Sequence, residues 1–135
     1  MQKNINSVAE TLSACLSFDE AYERTRVQID MECFPVEMLV QATEVAGIIA
    51  QVYTLPKNGV MKIAGCLRKV EDVQAVFRKL TNEHVTYVIE EFNEIPYKVR
   101  YKTAYIRSAL FNAVFELTSA ENNRYAAAEA EAEND

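Results

Sequence analysis

Apolar residues first recur at helical spacing at Ile5, Val8, Leu12, Cys15 and Leu16. Ser7 with Glu10 fits a capping box, in which each side chain satisfies a backbone donor of the other residue. The spacing predicts an amphipathic helix ending near Phe18, then a short helical piece capped by Ser17 or Asp19 and running through Tyr22 and Arg24. The period then changes. Val27, Ile29, Met31 and Cys33 alternate with Gln28, Asp30 and Glu32, a strand-like period of two over a short run. Extended backbone or a small edge strand is expected there. Pro35 stands where a helix would begin, because its missing N–H costs nothing in the first turn. Val36, Leu39, Val40, Thr43, Ala46, Ile49 and Val52 follow on one broad face. Gly47 lies inside this pattern at a cost of about 1 kcal/mol against alanine, which predicts a close helix crossing as compensation.

Residues 55–59, Leu-Pro-Lys-Asn-Gly, form a turn by composition. Val60 to Ile63 reads as a short extended segment closed by Ala64-Gly65, with residues 27–31 as its expected partner in a two-stranded ribbon. A helix from about Val70 to Leu80 places Glu71 and Asp72 at its positive dipole end. Thr81 reads as the next N-cap, with Leu80 and Val85 as a hydrophobic staple and Val85, Val88, Ile89 and Phe92 as the inner face. Ile95-Pro96 stops that helix, since proline pushes its predecessor out of the α region. The last helix, roughly 101–118, carries Ile106, Leu110, Ala113, Val114 and Leu117 along one seam, while Tyr101, Tyr105, Phe111 and Phe115 spread over its other sides. Apolar on nearly every side from Ala104 to Leu117, it is expected to be buried on more than one face. The pattern predicts an all-α (mainly α) bundle of five to six helices with one short two-stranded ribbon. It forms a single domain over 1–118, followed by an acidic tail at 119–135 that starts helical and frays.

Composition agrees with this class. The chain of 135 residues is one ordinary domain, and three Gly and three Pro are few enough to suit long helices. No apolar run approaches the ~20 residues of a membrane span, and the N-terminus lacks the apolar core of a signal peptide. Cys15, Cys33 and Cys66 make neither a CxxC pair nor a zinc pattern, and are expected as buried or half-buried free thiols in a reducing cytoplasm.

Charge adds a finer picture. The net charge of −6 is uneven: residues 1–55 carry eight acids and three bases, 56–118 seven acids and ten bases, and 119–135 five acids and one base. Overall acidity argues against broad nucleic-acid binding, but the basic middle leaves room for a local patch. Lys98, Arg100, Lys102 and Arg107 stand between Glu94 and Glu116 with no acid among them, interleaved with Tyr97, Tyr101 and Tyr105. Three readings fit: a solvated rim, a nucleic-acid contact by phosphate neutralisation and stacking, or a surface for an acidic protein. Arg68, Lys69, Arg78 and Lys79 would extend the patch if their helix lies alongside.

Catalytic chemistry finds no foothold. His84 is the only histidine and reads as a capping or packing residue in a first helical turn. The pairs Asp19-Glu20, Glu71-Asp72 and Glu90-Glu91 are adjacent, so on a helix they point about 100° apart. No glycine-rich phosphate loop is present. The expectation is a protein that is not an enzyme and uses no metal or cofactor.

Several runs resemble the C-terminal domain of plasmid replication initiator protein A of Gram-positive bacteria. They are Ile63-Ala-Gly65, Val73-Gln-Ala-Val-Phe-Arg-Lys-Leu80, Asn82-Glu-His-Val-Thr-Tyr-Val-Ile89 and Lys98 through Ala113. The family pattern has an extended I-x-I-x-G segment and helices of the forms V-x-x-x-F-x-K-L, H-(I/V)-x-Y-V-(I/L) and Y-(I/L)-x-x-x-L-(F/Y)-N-A. The spacing matches over residues 60–114; residues 20–59 fit more loosely. The resemblance implies a compact DnaD-like helical domain that engages host replication proteins such as primase or the helicase-loading machinery, and sometimes DNA. The winged-helix domain that precedes it in the family has no counterpart in this sequence, as expected of a cloned domain or a stand-alone relative. A second expectation is a small phage or mobile-element inhibitor, anti-CRISPR-like, that blocks a host nucleoprotein. The apolar surplus around Leu110 suits either a monomer's central helix or a homodimer seam.

Overall fold

The computed structural model describes residues 16–117. Among these, five α-helices and one antiparallel ribbon follow in the order α1 (Phe18–Gln28), α2 (Leu39–Tyr53), β1 (Val60–Ile63), β2 (Cys66–Lys69), α3 (Val70–Phe77), α4 (Asn82–Asn93) and α5 (residues 102–117). Two short 3-10 turns, Met31–Cys33 and Val36–Met38, join α1 to α2. The chain is mainly α with a small ribbon, as its spacing predicts. The helix expected over 5–16 and the acidic tail from 119 fall outside the described residues, apart from Leu16.

α1 begins where Ser17 accepts a hydrogen bond from the Glu20 N–H at 3.2 Å, a side-chain cap on the first turn. It runs through Val27 and Gln28, so the strand expected over 27–33 does not form. The alternation there belongs to a helix end followed by a left-handed Asp30 (φ 50) and a 3-10 turn. Three contacts hold that end in place. Gln28 Nε2 donates to the carbonyls of Phe77 (2.8 Å) and Leu80 (2.9 Å), and Asn82 Nδ2 donates to the Ile29 carbonyl at 3.1 Å. Cys33 and Cys66 are exposed, contrary to the expectation from residue type. Neither lies on a face turned to apolar neighbours: Cys33 ends a surface turn and Cys66 opens the exposed strand β2.

α2 is the most enclosed element. Ala42, Val45, Ala46, Ile48, Ile49, Ala50 and Val52 are all buried, and the helix packs on α1, α3 and α4. Its first turn differs from expectation. Pro35 precedes a 3-10 turn, and the α-helix starts only at Leu39. Val36 and Val40 are each 82 % exposed and Thr43 faces outward, because at about 100° per residue Val40 and Thr43 stand well off the row at 42, 45, 46, 49 and 52 that carries the inner face. Gly47 marks no close crossing, because an added Cβ would meet nothing within 4 Å.

β1 pairs with β2 and not with residues 27–31, in the register Val60↔Lys69 to Ile63↔Cys66. The two-residue loop explains the choice. Ala64 (φ 51) and Gly65 (φ 80) both have positive φ, as a type I′ hairpin turn demands, and such a turn folds the chain onto its immediate continuation. The ribbon's tip is pinned to α5 by the Ala64 N–H, which donates to Ser108 Oγ at 2.9 Å.

α3 stops at Phe77, three residues short of the expected Leu80, although Leu80 itself is buried. Thr81 caps α4 as expected, and His84 completes the box: its Nδ1 accepts from the Thr81 N–H at 3.0 Å. Leu80 and Val85 are both buried on either side of this cap. α5 is not buried all round. Ile106, Leu110, Phe111, Ala113 and Val114 face the core, while Tyr105 and Phe115 stay 40 % and 52 % exposed.

Candidate functional site

The segment from Glu94 to Tyr101 is the irregular link between α4 and α5, begun where Ile95-Pro96 ends helical backbone. Tyr97 and Tyr101 project from it, each 69 % exposed, and Lys98 and Arg100 are exposed beside them. Arg100 lies over the Tyr101 ring at 5.4 Å from its centroid, a cation–π contact that holds the pair as one basic-aromatic face.

The other two cations predicted for this patch do different work. Lys102 Nζ is 3.0 Å from Glu44 Oε2 on α2 and 5.1 Å above the Phe92 ring on α4. Phe92 in turn meets Tyr105 at 6.1 Å. Lys102 is thus a brace tying the start of α5 to α2 and α4. Arg107 is half-buried about one and a half turns along α5, one turn before Phe111. Arg68 of β2 stands over that same ring, 4.7 Å from its centroid. The structure therefore divides the predicted patch. Tyr97, Lys98 and Arg100, with Tyr101, form an exposed loop face, Lys102 pairs with Glu44, and Arg107 is half-buried with its Nε enclosed. Arg78, at the end of α3, lies close enough to Tyr53 to favour its phenolate and does not extend the loop face.

A cleft of about 220 Å³ runs between α4 and α5, lined by Tyr87, Glu91, Tyr105, Ser108, Asn112 and Glu116 among others. Tyr87 Oη donates to Glu116 Oε2 at 3.0 Å, and this bond, with its neighbouring carboxylates, pushes the phenol above its ordinary range. His84 Nδ1 is occupied by the α4 cap. Among the described residues no group of three or more His, Cys, Asp or Glu is placed to hold a metal ion, and no helix is long and apolar enough to cross a membrane.

Arg68, expected on a helix alongside the patch, reaches α5 from strand β2 instead, 39 positions before Arg107 in the chain. The signal that leads to it is the hairpin: once β1 and β2 pair, Arg68 must share a face with Met61, the face that packs on α5. Comparison with family models, with curated proteins and with solved structures finds no match to this chain.

Proposed function

We propose that this chain is a non-enzymatic protein-binding module that acts by contact with replication proteins, the role implied by its resemblance to the C-terminal domain of a plasmid replication initiator. One observation carries the reading: Tyr97 and Tyr101, each 69 % exposed, flank Lys98 and Arg100 on a loop held by the Lys102 brace. Tyrosine and arginine are the residue types that dominate protein–protein contact energies, because both cover a large contact area and keep a polar end.

The same geometry argues against nucleic acid as the partner of this loop. With Lys102 paired and Arg107 half-buried with its Nε enclosed, Lys98 and Arg100 remain as the exposed cations for phosphates. Two such contacts give a salt slope of only about −1.4 on single strands, too shallow for tight binding by a chain of net charge −6.

The direct test is capture by the immobilised chain of purified primase, replicative helicase or helicase loader. The expected result is retention of one of them by the wild type and loss with Tyr97→Ala/Arg100→Ala. Empty captures for all three, with a different class of protein retained, would overturn the replication reading.

A further inference from the structure

We infer that the junction of the ribbon and α5 is a second docking surface, one that takes an acidic, extended segment of a protein partner, with Arg68 and Arg107 receiving its carboxylates. The inference rests on the reading of the chain as a protein-binding module and adds the partner's chemistry.

Three observations lead there. Residues 56–70 contain Lys57, Lys62, Arg68 and Lys69 and no acid. The ion pairs formed among the described residues join Arg26 to Glu23 and Lys102 to Glu44, so no ribbon cation is neutralised by a described neighbour. More specifically, the Nε atoms of Arg68 and Arg107 are both buried and neither has a hydrogen-bond partner. With Nε enclosed, the outer Nη groups of each guanidinium, which no ion pair among the described residues engages, are the donors an incoming acceptor can reach. Both residues border Phe111: Arg68 covers its ring at 4.7 Å, and Arg107 stands one helical turn before it on α5. A planar guanidinium fork matches a carboxylate in shape and charge.

The surroundings select the class of partner. On the ribbon's outer face the register sets Val60 beside Lys69 and Leu67 beside Lys62, with Val60 69 % and Leu67 76 % exposed. A phosphate backbone offers nothing to exposed aliphatic side chains, whereas a peptide alternating acidic and apolar residues meets both kinds. Among the described residues the sheet has two strands, so β2 has one edge without a described strand partner, and Cys66, Leu67 and Lys69 along it are exposed. An open edge of this kind accepts an extended segment by main-chain hydrogen bonds, with alternate side chains read by the flanking groups.

The experiment uses the full chain and three fluorescein-labelled probes at low salt, read by anisotropy. They are an acetylated peptide of four Glu-Leu repeats, its Gln-Leu counterpart, and an oligothymidine of equal charge. The acidic peptide is expected to bind best, with the Gln-Leu peptide about tenfold weaker or worse. Arg68→Gln/Arg107→Gln is expected to lose about tenfold in affinity, with Arg68→Lys/Arg107→Lys between it and the wild type. Unchanged thermal melts would establish that the variants fold. Equal peptide affinity in the folded Gln variant, or tighter binding of the oligothymidine, would overturn the assignment. Tyr97→Ala/Arg100→Ala should leave peptide affinity intact. Failure at the ribbon and failure at the loop are therefore distinguishable.

Discussion

Gln74 sits on a helix between apolar neighbours and is buried, yet its amide nitrogen has two acceptors. Nε2 donates to the carbonyls of Val52 and Leu55, both at 3.0 Å, and so closes the C-terminal end of α2 from the neighbouring helix. Gln28 does the same for the turn after α3 and also accepts the Tyr53 hydroxyl at 2.8 Å. Carbonyls at a helix end lack partners within the helix and must find them elsewhere. Gln74→Leu keeps the volume and removes the donor. It should cost about 1–3 kcal/mol in denaturant unfolding, the penalty for a carbonyl left buried and unsatisfied. A change within error would mean that water replaces the amide. None of these amide contacts has a periodic signature, because they join residues 19 to 53 positions apart.

At the scale of elements, the turn decides the ribbon. Gly65 has φ 80, and a Cβ added there would meet nothing within 4 Å. Gly65→Ala therefore strains only the backbone and should destabilise the chain by about 1–2 kcal/mol. Equilibrium unfolding would check this, and a neutral result would show that the turn relaxes to another type. Helices α4 and α5 were legible because each combines an inner apolar face with a stop or start signal: Thr81 before α4, Ile95-Pro96 after it. The 27–33 strand and the ribbon's partner were misread for one physical reason. Alternation over six or seven residues also fits a helix end plus a 3-10 turn, and only long-range bonds from Gln28 and Asn82 decide between them. The outer face of α2 was misread because the expected apolar row was too wide for one side of a helix: Val40 and Thr43 fall about 100° or more from the middle of the buried row that runs from Ala42 to Val52. The candidate site was half legible. Charge and aromatic spacing located the loop residues Tyr97, Lys98 and Arg100. They could not show that Lys102 would be drawn to Glu44, 58 positions away, or that Arg68 of the ribbon would stand over Phe111 of α5.

Across the whole molecule, charge and burial set how the fold answers to pH. Burial pushes the Tyr53 phenol above its ordinary value of 10.0, outweighing the opposing pull of Gln28 and Arg78. A phenol whose folded pKa exceeds its unfolded one contributes stability that is fully present below the unfolded value. That contribution fades as pH rises through the folded one. Stability should therefore fall above about pH 10, and Tyr53→Phe should fall less steeply over the same range. Parallel curves for the two proteins would remove Tyr53 as the cause. The same scale separates the two recognition surfaces, since a loop of tyrosines with two cations and a ribbon of unpaired cations serve different parts of a partner. The measurement that bears most directly on the protein-binding reading is the affinity of the captured replication protein for the wild type and for Tyr97→Ala/Arg100→Ala/Tyr101→Ala. Contact residues of this kind are worth about 2 kcal/mol each or more, so the variant should bind at least about 100-fold more weakly with an unchanged melting temperature. Affinity within about twofold of the wild type would contradict the assignment of this loop as the contact surface.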